Sequence, residues 1–211
     1  MLQNVIFDCD GVLVDSEPIS NRVLAEALTG IGLPMTAEES TATFMGRSWA
    51  SVVEIVEERL GRAVPTDLRA RYLDQVFAAF ERELRPVPGI AAALDRIALP
   101  WCVASSSSHE KMRFTLGHTG LLGRFEGRLF SATEVTHGKP APDLFLHAAA
   151  RMGWAPEECA VVEDSPAGVQ AALAAGMTAL GYAGRTDPAL LAGARIFTRM
   201  AELPALLQPP A

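Results

Sequence analysis

The sequence predicts an α/β protein, a parallel sheet with helices on both faces, interrupted near its start by an all-helical insertion. Three observations lead there. A strand-like run at residues 5–7 opens the chain. Residues 17–85 then show helical periodicity and no convincing strand. From Gly89 onward, helix and strand candidates alternate almost to the C-terminus.

Val5, Ile6 and Phe7 are β-branched or aromatic and read as a buried strand. Asp8 stands at that strand's carboxyl end, where open α/β sheets bind their ligands. Asp10 shares its side of the extended segment, because alternate strand residues point the same way. Gly11 permits the sharp turn that follows. Two carboxylates this close repel unless a cation or a shared proton lies between them. That is the first sign of a metal.

The insertion begins after Asp15. Residues 21–28 are amphipathic and end at Gly30 and Gly32. Val52, Val53, Ile55, Val56 and Leu60 form an apolar stripe closed by Gly61. Thr66 is placed to cap a further helix, in which Tyr72, Val76, Phe80 and Leu84 recur at every fourth position. Pro86, Pro88 and Gly89 break that pattern. The predicted division is residues 1–15 plus 87–211 for the sheet domain and 16–86 for the helical one. Within the former, helices are expected over 90–97, 109–117, 144–152 and 167–175. Strands are expected over 101–104, 128–130, 159–162 and 178–182, with 195–198 as an edge strand and a loose tail over 208–211.

Composition excludes several classes. The net charge of −7 leaves no basic surplus for a phosphate backbone, so nucleic acid is not expected as a partner. The longest apolar tract, residues 169–184, is broken by glycines and too short to span a bilayer, so no membrane partner is expected either. Cys9, Cys102 and Cys159 are odd in number and lack C-x-x-C spacing, which reads as buried reduced thiols in a cytoplasmic protein. No basic segment precedes an apolar one at the N-terminus, so no signal peptide is read there.

Three later stretches fall where this fold brings them beside Asp8. In residues 103–110 a strand runs into four serines and a helix, with Ser107 and Glu110 at capping-box spacing. Serines of this kind cap helices everywhere; they also supply a hydroxyl, here that of Ser105, and backbone N–H groups that cradle an oxyanion. Lys139 is flanked by Gly138 and Pro140 on a conformationally restricted segment. Taken alone it is a solvated surface charge; rigid placement before a helix makes it a candidate phosphate clamp. In residues 159–168 another buried strand ends in acids, Glu163 and Asp164, followed by Ser165 as cap and Pro166 as first helical residue. Those acids either complement the helix dipole or join Asp8 and Asp10 around a hard cation. Mg²⁺ suits the second reading, since it takes oxygen ligands, few protein carboxylates, waters and a substrate phosphate.

These stretches carry a resemblance. Asp8-Cys9-Asp10-Gly11, Ser105, Lys139 and Glu163-Asp164 stand in the order and spacing of the four motifs of the haloacid dehalogenase (HAD) superfamily. The insertion after the first motif resembles the C1-type helical cap of the branch that contains β-phosphoglucomutase and many small-metabolite phosphatases. Asp8 through Glu17 (DCDGVLVDSE) and Gly138 through Asp143 (GKPAPD) are phrases specific to that branch. The resemblance covers nearly the whole chain, the cap being its unspecific part.

The resemblance implies a Rossmann-like HAD core with an inserted cap, and a Mg²⁺-dependent phosphatase. Asp8 is then the nucleophile that becomes an aspartyl-phosphate, and Asp10 the acid and base, in an environment that raises its pKa. The Asp8 carboxylate, the Asp10 carbonyl and Asp164 hold Mg²⁺, with Glu163 behind them. Ser105, the Ser106 N–H and Lys139 bind the phosphoryl oxygens. Two unit charges about 4 Å apart repel by roughly 4 kcal/mol at an effective dielectric near 20. A carboxylate approaching a phosphate therefore needs both cations.

Within the family, an acid at position 10 argues against a dehalogenase, whose halide leaves without protonation. The nearer alternative is a phosphosugar mutase. Its members usually carry a hinge histidine where this chain has Ser20, and an arginine where it has Trp49. Both departures favour hydrolysis. Arg47 is either a solvated arginine or a reader of a second anionic group, and Trp49 either a wall of the substrate site or part of the cap core. Gly46, Arg47, Trp49 and Glu17 are the candidate substrate-facing residues of the cap, with Asn21 near them. A non-catalytic phospho-acceptor module is a third possibility, disfavoured by the inserted cap and by Asp10. The expected partner is a small phosphorylated metabolite, a sugar or sugar-acid phosphate, and the expected assembly a monomer or weak homo-oligomer.

Overall fold

The computed structural model describes residues 1–45, 47 and 49–208. Gly46, Ser48 and the end of the tail, residues 209–211, lie outside that description. Contacts divide the chain into two units, Met1–Asp15 with Pro86–Ala211 and Ser16–Arg85.

The first strand, β1 (Asn4–Phe7), is buried throughout. Four helices follow and make up the second unit: α1 (Glu17–Gly30), α2 (Ala37–Phe44), α3 (Trp49–Leu60) and α4 (Leu68–Glu83). Their apolar stripes meet in one core built on Leu24, Leu28, Phe44, Val52, Val56 and Leu68. Helix α2 is not among the elements expected from apolar period. Its signal is a capping box: the Glu39 N–H donates to Thr36 Oγ1 at 3.1 Å, and the Thr36 N–H to Glu39 Oε2 at 2.8 Å. The helix itself is short, and its sequence AEESTATF has no sustained apolar period to announce it. Thr66, expected to cap α4, does not. A turn closed by the Leu68 N–H on the Pro65 carbonyl (3.0 Å) carries the chain into the helix, and Asp67 takes the cap position without a side-chain hydrogen bond.

The sheet unit continues with α5 (Ile90–Arg96), β2 (Trp101–Ser105), α6 (His109–His118), β3 (Leu129–Ser131), α7 (Asp143–Met152), β4 (Cys159–Glu163), α8 (Pro166–Ala174), β5 (Thr178–Tyr182), β6 (Arg195–Phe197) and α9 (Leu203–Leu206). All the pairings are parallel, in the order β3-β2-β1-β4-β5-β6. This is the doubly wound α/β fold that the alternation predicts. Its strands read as continuous apolar runs because both faces are covered. Ile6, Cys102 and Val161 on one face pack against Leu144, Phe145 and Ala148 of α7 and Val169 and Ala172 of α8. Phe7 faces the other way and meets Phe125 edge-on, with ring centroids 6.3 Å apart. All three cysteines are buried and unpaired in disulfides. Among the described residues no helix is long and apolar enough to cross a membrane.

Two features of this topology matter for the site. The chain winds outward from β1 to β3, then crosses back to continue on the other side through β4, so the switch point lies at β1 and β4. β2, β3 and β4 also each run one residue beyond their last apolar residue, to Ser105, Ser131 and Glu163. Ser105 pairs with Ser131 in register, and Glu163 with Gly181.

Thr36→Ala removes one half of the capping box and is expected to lower stability by about 1 kcal/mol. Urea unfolding followed by circular dichroism measures it, and an unchanged midpoint would mean that the cap contributes nothing.

Candidate functional site

The site is assembled at the carboxyl ends of β1, β2 and β4. Phe7 is level with Val103 on one side and Val162 on the other, so the next residues, Asp8, Ala104 and Glu163, lie side by side at the carboxyl edge of the sheet. Asp8 is still tied to the sheet, its N–H donating to the Val162 carbonyl at 2.9 Å. The chain then folds sharply. The Gly11 N–H donates to the Val14 carbonyl at 2.8 Å, and Gly11 has φ +79°, a conformation glycine adopts without strain. A Cβ at Gly11 would also collide with the Asp164 carboxylate, so this glycine admits Asp164 to the turn that carries Asp8 and Asp10.

Lys139 holds the centre of the site together. Its side chain is only 4% exposed, and its ammonium lies between two buried carboxylates, 2.5 Å from Asp8 Oδ1 and 2.6 Å from Glu163 Oε1. It also donates to the Ala104 carbonyl at 3.4 Å and lies over the Phe145 ring, 4.8 Å from the centroid. Glu163 Oε2 accepts from the Ser165 N–H (2.8 Å) and Ser165 Oγ (2.9 Å). Gly168 makes room for this carboxylate, because a Cβ there would overlap it. The first turn of α8 is capped by Ser165 Oγ, which accepts from the Gly168 N–H at 3.1 Å.

The electrostatics follow from burial. Desolvation pushes the Asp8 carboxyl up to about 7, with the Lys139 charge opposing and those of Glu163 and Asp10 reinforcing. Burial alone would depress the Lys139 ammonium, but Asp8 and Glu163 together outweigh it and hold the lysine charged, above its ordinary range.

Asp10 is held differently. Its side chain is 14% exposed; Oδ2 accepts from Ser107 Oγ at 2.6 Å, and Oδ1 faces the Lys111 ammonium at 3.1 Å. Nothing in the sequence alone points to either partner. Capping-box spacing assigns the cap of α6 to Ser107, but Ser108 takes that place, its Oγ accepting from the Lys111 N–H at 3.3 Å. Displacing the cap by one residue frees the Ser107 hydroxyl for Asp10. Ser105 is buried and its Oγ accepts from the Ser107 N–H at 3.2 Å, while Ser106 is exposed at the loop's tip.

The helical unit carries the remaining candidates. Glu17 lies in the first turn of α1, where Asn21 Nδ2 donates to its carboxylate at 3.0 Å and to its carbonyl at 2.9 Å. Arg47 is exposed, with Nε donating to the Thr43 carbonyl at 2.8 Å. Trp49 packs in that unit's own core, stacked on Tyr72 with centroids 5.4 Å apart. Gly46 lies outside the described residues.

Among the described residues no three His, Cys, Asp or Glu side chains form a ready-made metal cage. The donors present nonetheless suit Mg²⁺. Glu163 is turned toward Lys139 and Ser165, and the Asp10 carboxylate toward Ser107 and Lys111. The Asp8 and Asp164 carboxylates and the Asp10 carbonyl are hard oxygen donors of the kind Mg²⁺ takes. Two carboxylates with room for water and a phosphate oxygen is the pattern Mg²⁺ takes, and it needs no third acidic side chain.

Acids, a buried lysine and a serine loop at the switch point of a doubly wound sheet define an α/β enzyme with a charged reaction centre. Residues 2–176 match the family described as haloacid dehalogenase-like hydrolase, and the chain belongs to that family. It is 33% identical over 208 residues to the 6-phosphogluconate phosphatase of Escherichia coli, covering 97% of this chain and 94% of that one. With the fructose-1-phosphate phosphatase of the same organism it shares 32% over 177 residues, 83% of this chain and 94% of that one. A haloacid dehalogenase family hydrolase from Deinococcus radiodurans, solved with bound phosphate and sodium, superposes with a TM-score of 0.79 at 32% identity. The match covers 100% of this chain and 99% of that one. The chain is thus a hydrolase, and the two Escherichia coli relatives are phosphatases.

In metal-free protein, the Asp8 carboxyl is expected to titrate near pH 7. Lys139→Met should move that midpoint upward, since the lysine charge is the strongest influence lowering it. Carboxyl ¹³C shifts of aspartate-labelled protein measure both; an unmoved midpoint would place the lysine away from Asp8.

Proposed function

We propose that this protein is a Mg²⁺-dependent phosphomonoesterase that hydrolyses a small sugar phosphate or sugar-acid phosphate through an aspartyl-phosphate on Asp8. The observation that carries the reading is the buried ammonium of Lys139 shared by Asp8 and Glu163. It fixes one carboxylate at a strand tip and partly cancels the repulsion that an approaching phosphate meets there. The family and its sugar-phosphate relatives support the same class of reaction.

In the first half-reaction an Asp8 carboxylate oxygen attacks phosphorus, and the bond from phosphorus to the sugar oxygen breaks. Asp10 gives its proton to the departing alkoxide, which is too basic to leave unprotonated. In the second half, Asp10, now a carboxylate, takes a proton from water as that water attacks phosphorus. The Asp8–phosphorus bond breaks, giving inorganic phosphate and restoring Asp8. Asp8, Asp164 and the Asp10 carbonyl would hold Mg²⁺, which supplies charge neutralisation at the phosphoryl oxygens. Ser105 and the Ser106 N–H bind those oxygens, and Lys139 acts on them from beside Asp8.

The helical unit serves as the cap that selects the leaving group. Arg47 and Glu17 are its nominated contacts, with Gly46 between α2 and Arg47; the stacking of Trp49 on Tyr72 gives Trp49 a packing role. Ser20 and Trp49 stand where mutases usually carry their histidine and arginine, which favours hydrolysis over phosphoryl return.

The test is Mg²⁺-dependent release of phosphate from p-nitrophenyl phosphate and from a panel of sugar and sugar-acid phosphates. Asp8→Asn should abolish it. Asp10→Asn should lower turnover on the best sugar phosphate by about 10²–10⁴-fold. Its Mg²⁺ affinity should hold, because the metal contact is a main-chain carbonyl. Undiminished hydrolysis in excess chelator would overturn the metal role. Isomerised phosphosugar without free phosphate would point to a mutase, and a single phosphorylation per chain without turnover to an acceptor module.

A further inference from the structure

Each oxygen of the Asp10 carboxylate meets a donor from the loop after β2 or the first turn of α6. Ser107 Oγ donates to Oδ2 at 2.6 Å, and the Lys111 ammonium is 3.1 Å from Oδ1. Two donors on opposite oxygens set the plane of a carboxylate, which one contact does not. Ser107 is itself fixed from two sides. Its N–H donates to Ser105 Oγ at 3.2 Å, and its carbonyl accepts from Ser131 Oγ at 2.8 Å.

Ser131 is fully buried at the tip of β3, beside Ser105 in register. Its hydroxyl donates its one proton to the Ser107 carbonyl and accepts from the Thr133 N–H (3.1 Å) and Thr133 Oγ1 (2.9 Å). Its own N–H donates to Glu134 Oε2 at 3.0 Å. The Ser107 hydroxyl is therefore carried by a segment whose polar atoms are tied to two neighbouring strands. Lys111 reaches Asp10 from one turn further along, its position set by the cap that Ser108 places on its N–H. A chain of hydrogen bonds thus runs from the buried tip of β3 to the side chain that carries protons.

We propose that Ser107 and Lys111 are positioning residues that hold the Asp10 carboxylate in the orientation from which it exchanges protons with the leaving oxygen, with Ser131 bracing Ser107. This rests on the reading of Asp10 as general acid and base. Neither residue needs to touch substrate for this role. Loss of either removes one of the two contacts that set the carboxylate plane, and misorientation of a proton carrier lowers the rate steeply.

Leaving-group dependence separates this role from a structural one. p-Nitrophenolate departs without a proton, whereas a sugar alkoxide requires one. Steady-state kcat/KM, which reports the step that expels the leaving group, is measured with Mg²⁺ on p-nitrophenyl phosphate and on the ester of a neutral sugar, fructose 1-phosphate. Ser107→Ala and Lys111→Met should each lose about 10- to 100-fold on the sugar ester. On the aryl ester they should lose less than about threefold, as expected when proton delivery no longer matters. Ser107→Thr and Lys111→Arg, which keep the hydroxyl and the cation, should recover most of the loss. In an Asp10→Asn background, Ser107→Ala should cost nothing further, because the group it positions is gone.

Equal losses on both esters, or losses that persist in the Asp10→Asn background, would make these residues substrate-binding or structural and overturn the proposal. A wild-type protein inactive on both esters would instead overturn the reading of the reaction itself, and the positioning role with it.

Discussion

The charge of Lys139 is the constraint on which the rest of the site depends. Asp8 and Glu163 end neighbouring strands of one sheet, and parallel register places them side by side whether or not they repel. Two carboxylates in a buried position are tolerated only if something neutralises them. The lysine does so from a side chain that is itself almost wholly buried, with its remaining donor on the Ala104 carbonyl and the Phe145 ring beneath. The surrounding sequence is shaped to keep it there. Gly168 lacks the Cβ that would evict the Glu163 carboxylate, and Ser165 occupies the other oxygen of that carboxylate while capping α8.

The sheet's order explains why these groups come from such distant parts of the chain. Asp8 lies at the first strand, Lys139 before α7 and Glu163 at the fourth strand, yet all three meet at the place where the winding reverses. Helices on either side of a switch point diverge, so strand ends and loop backbones there are open to whatever binds. Charges that would be costly elsewhere in a parallel sheet are accommodated here, because they offset one another in part.

Much of this is legible in the residues, and the exceptions have physical causes. Strand–acid junctions at Asp8 and Glu163 stand out because a buried apolar run seldom ends abruptly in carboxylates. All six strands of the sheet and its main helices announce themselves by apolar period. The short helix α2 does not, since eight residues of mixed polarity hold no sustained stripe, though Thr36 and Glu39 mark its start. Apolar pattern also places the tips of β2, β3 and β4 one residue short, for a related reason. Ser105, Ser131 and Glu163 are polar, and polarity ordinarily signals the end of a sheet, whereas each is buried and satisfied by a loop. Ser107 and Lys111 are hidden more thoroughly. A run of four serines does not say which hydroxyl caps the helix, and one step in that choice decides which serine faces Asp10.

In the proposed reaction the two aspartates of the first loop do two kinds of work, and their surroundings differ accordingly. Asp8 is locked: its backbone is in the sheet ladder, its carboxylate is against a buried ammonium, and it is almost without exposure. A nucleophile gains from this, because in-line attack tolerates little error in position. Asp10 lies past the end of the ladder, partly exposed, and its partners are a hydroxyl and a half-sheltered lysine in place of a buried ion pair. A group that gives a proton to one oxygen and then takes one from another has to be oriented without being immobilised. Hydrogen bonds that can be exchanged for those of a substrate meet that need, and a fully buried salt bridge does not. The separation of the two acids by a single residue, with Gly11 turning the chain at once afterwards, puts one of them inside the sheet's order and the other just beyond it.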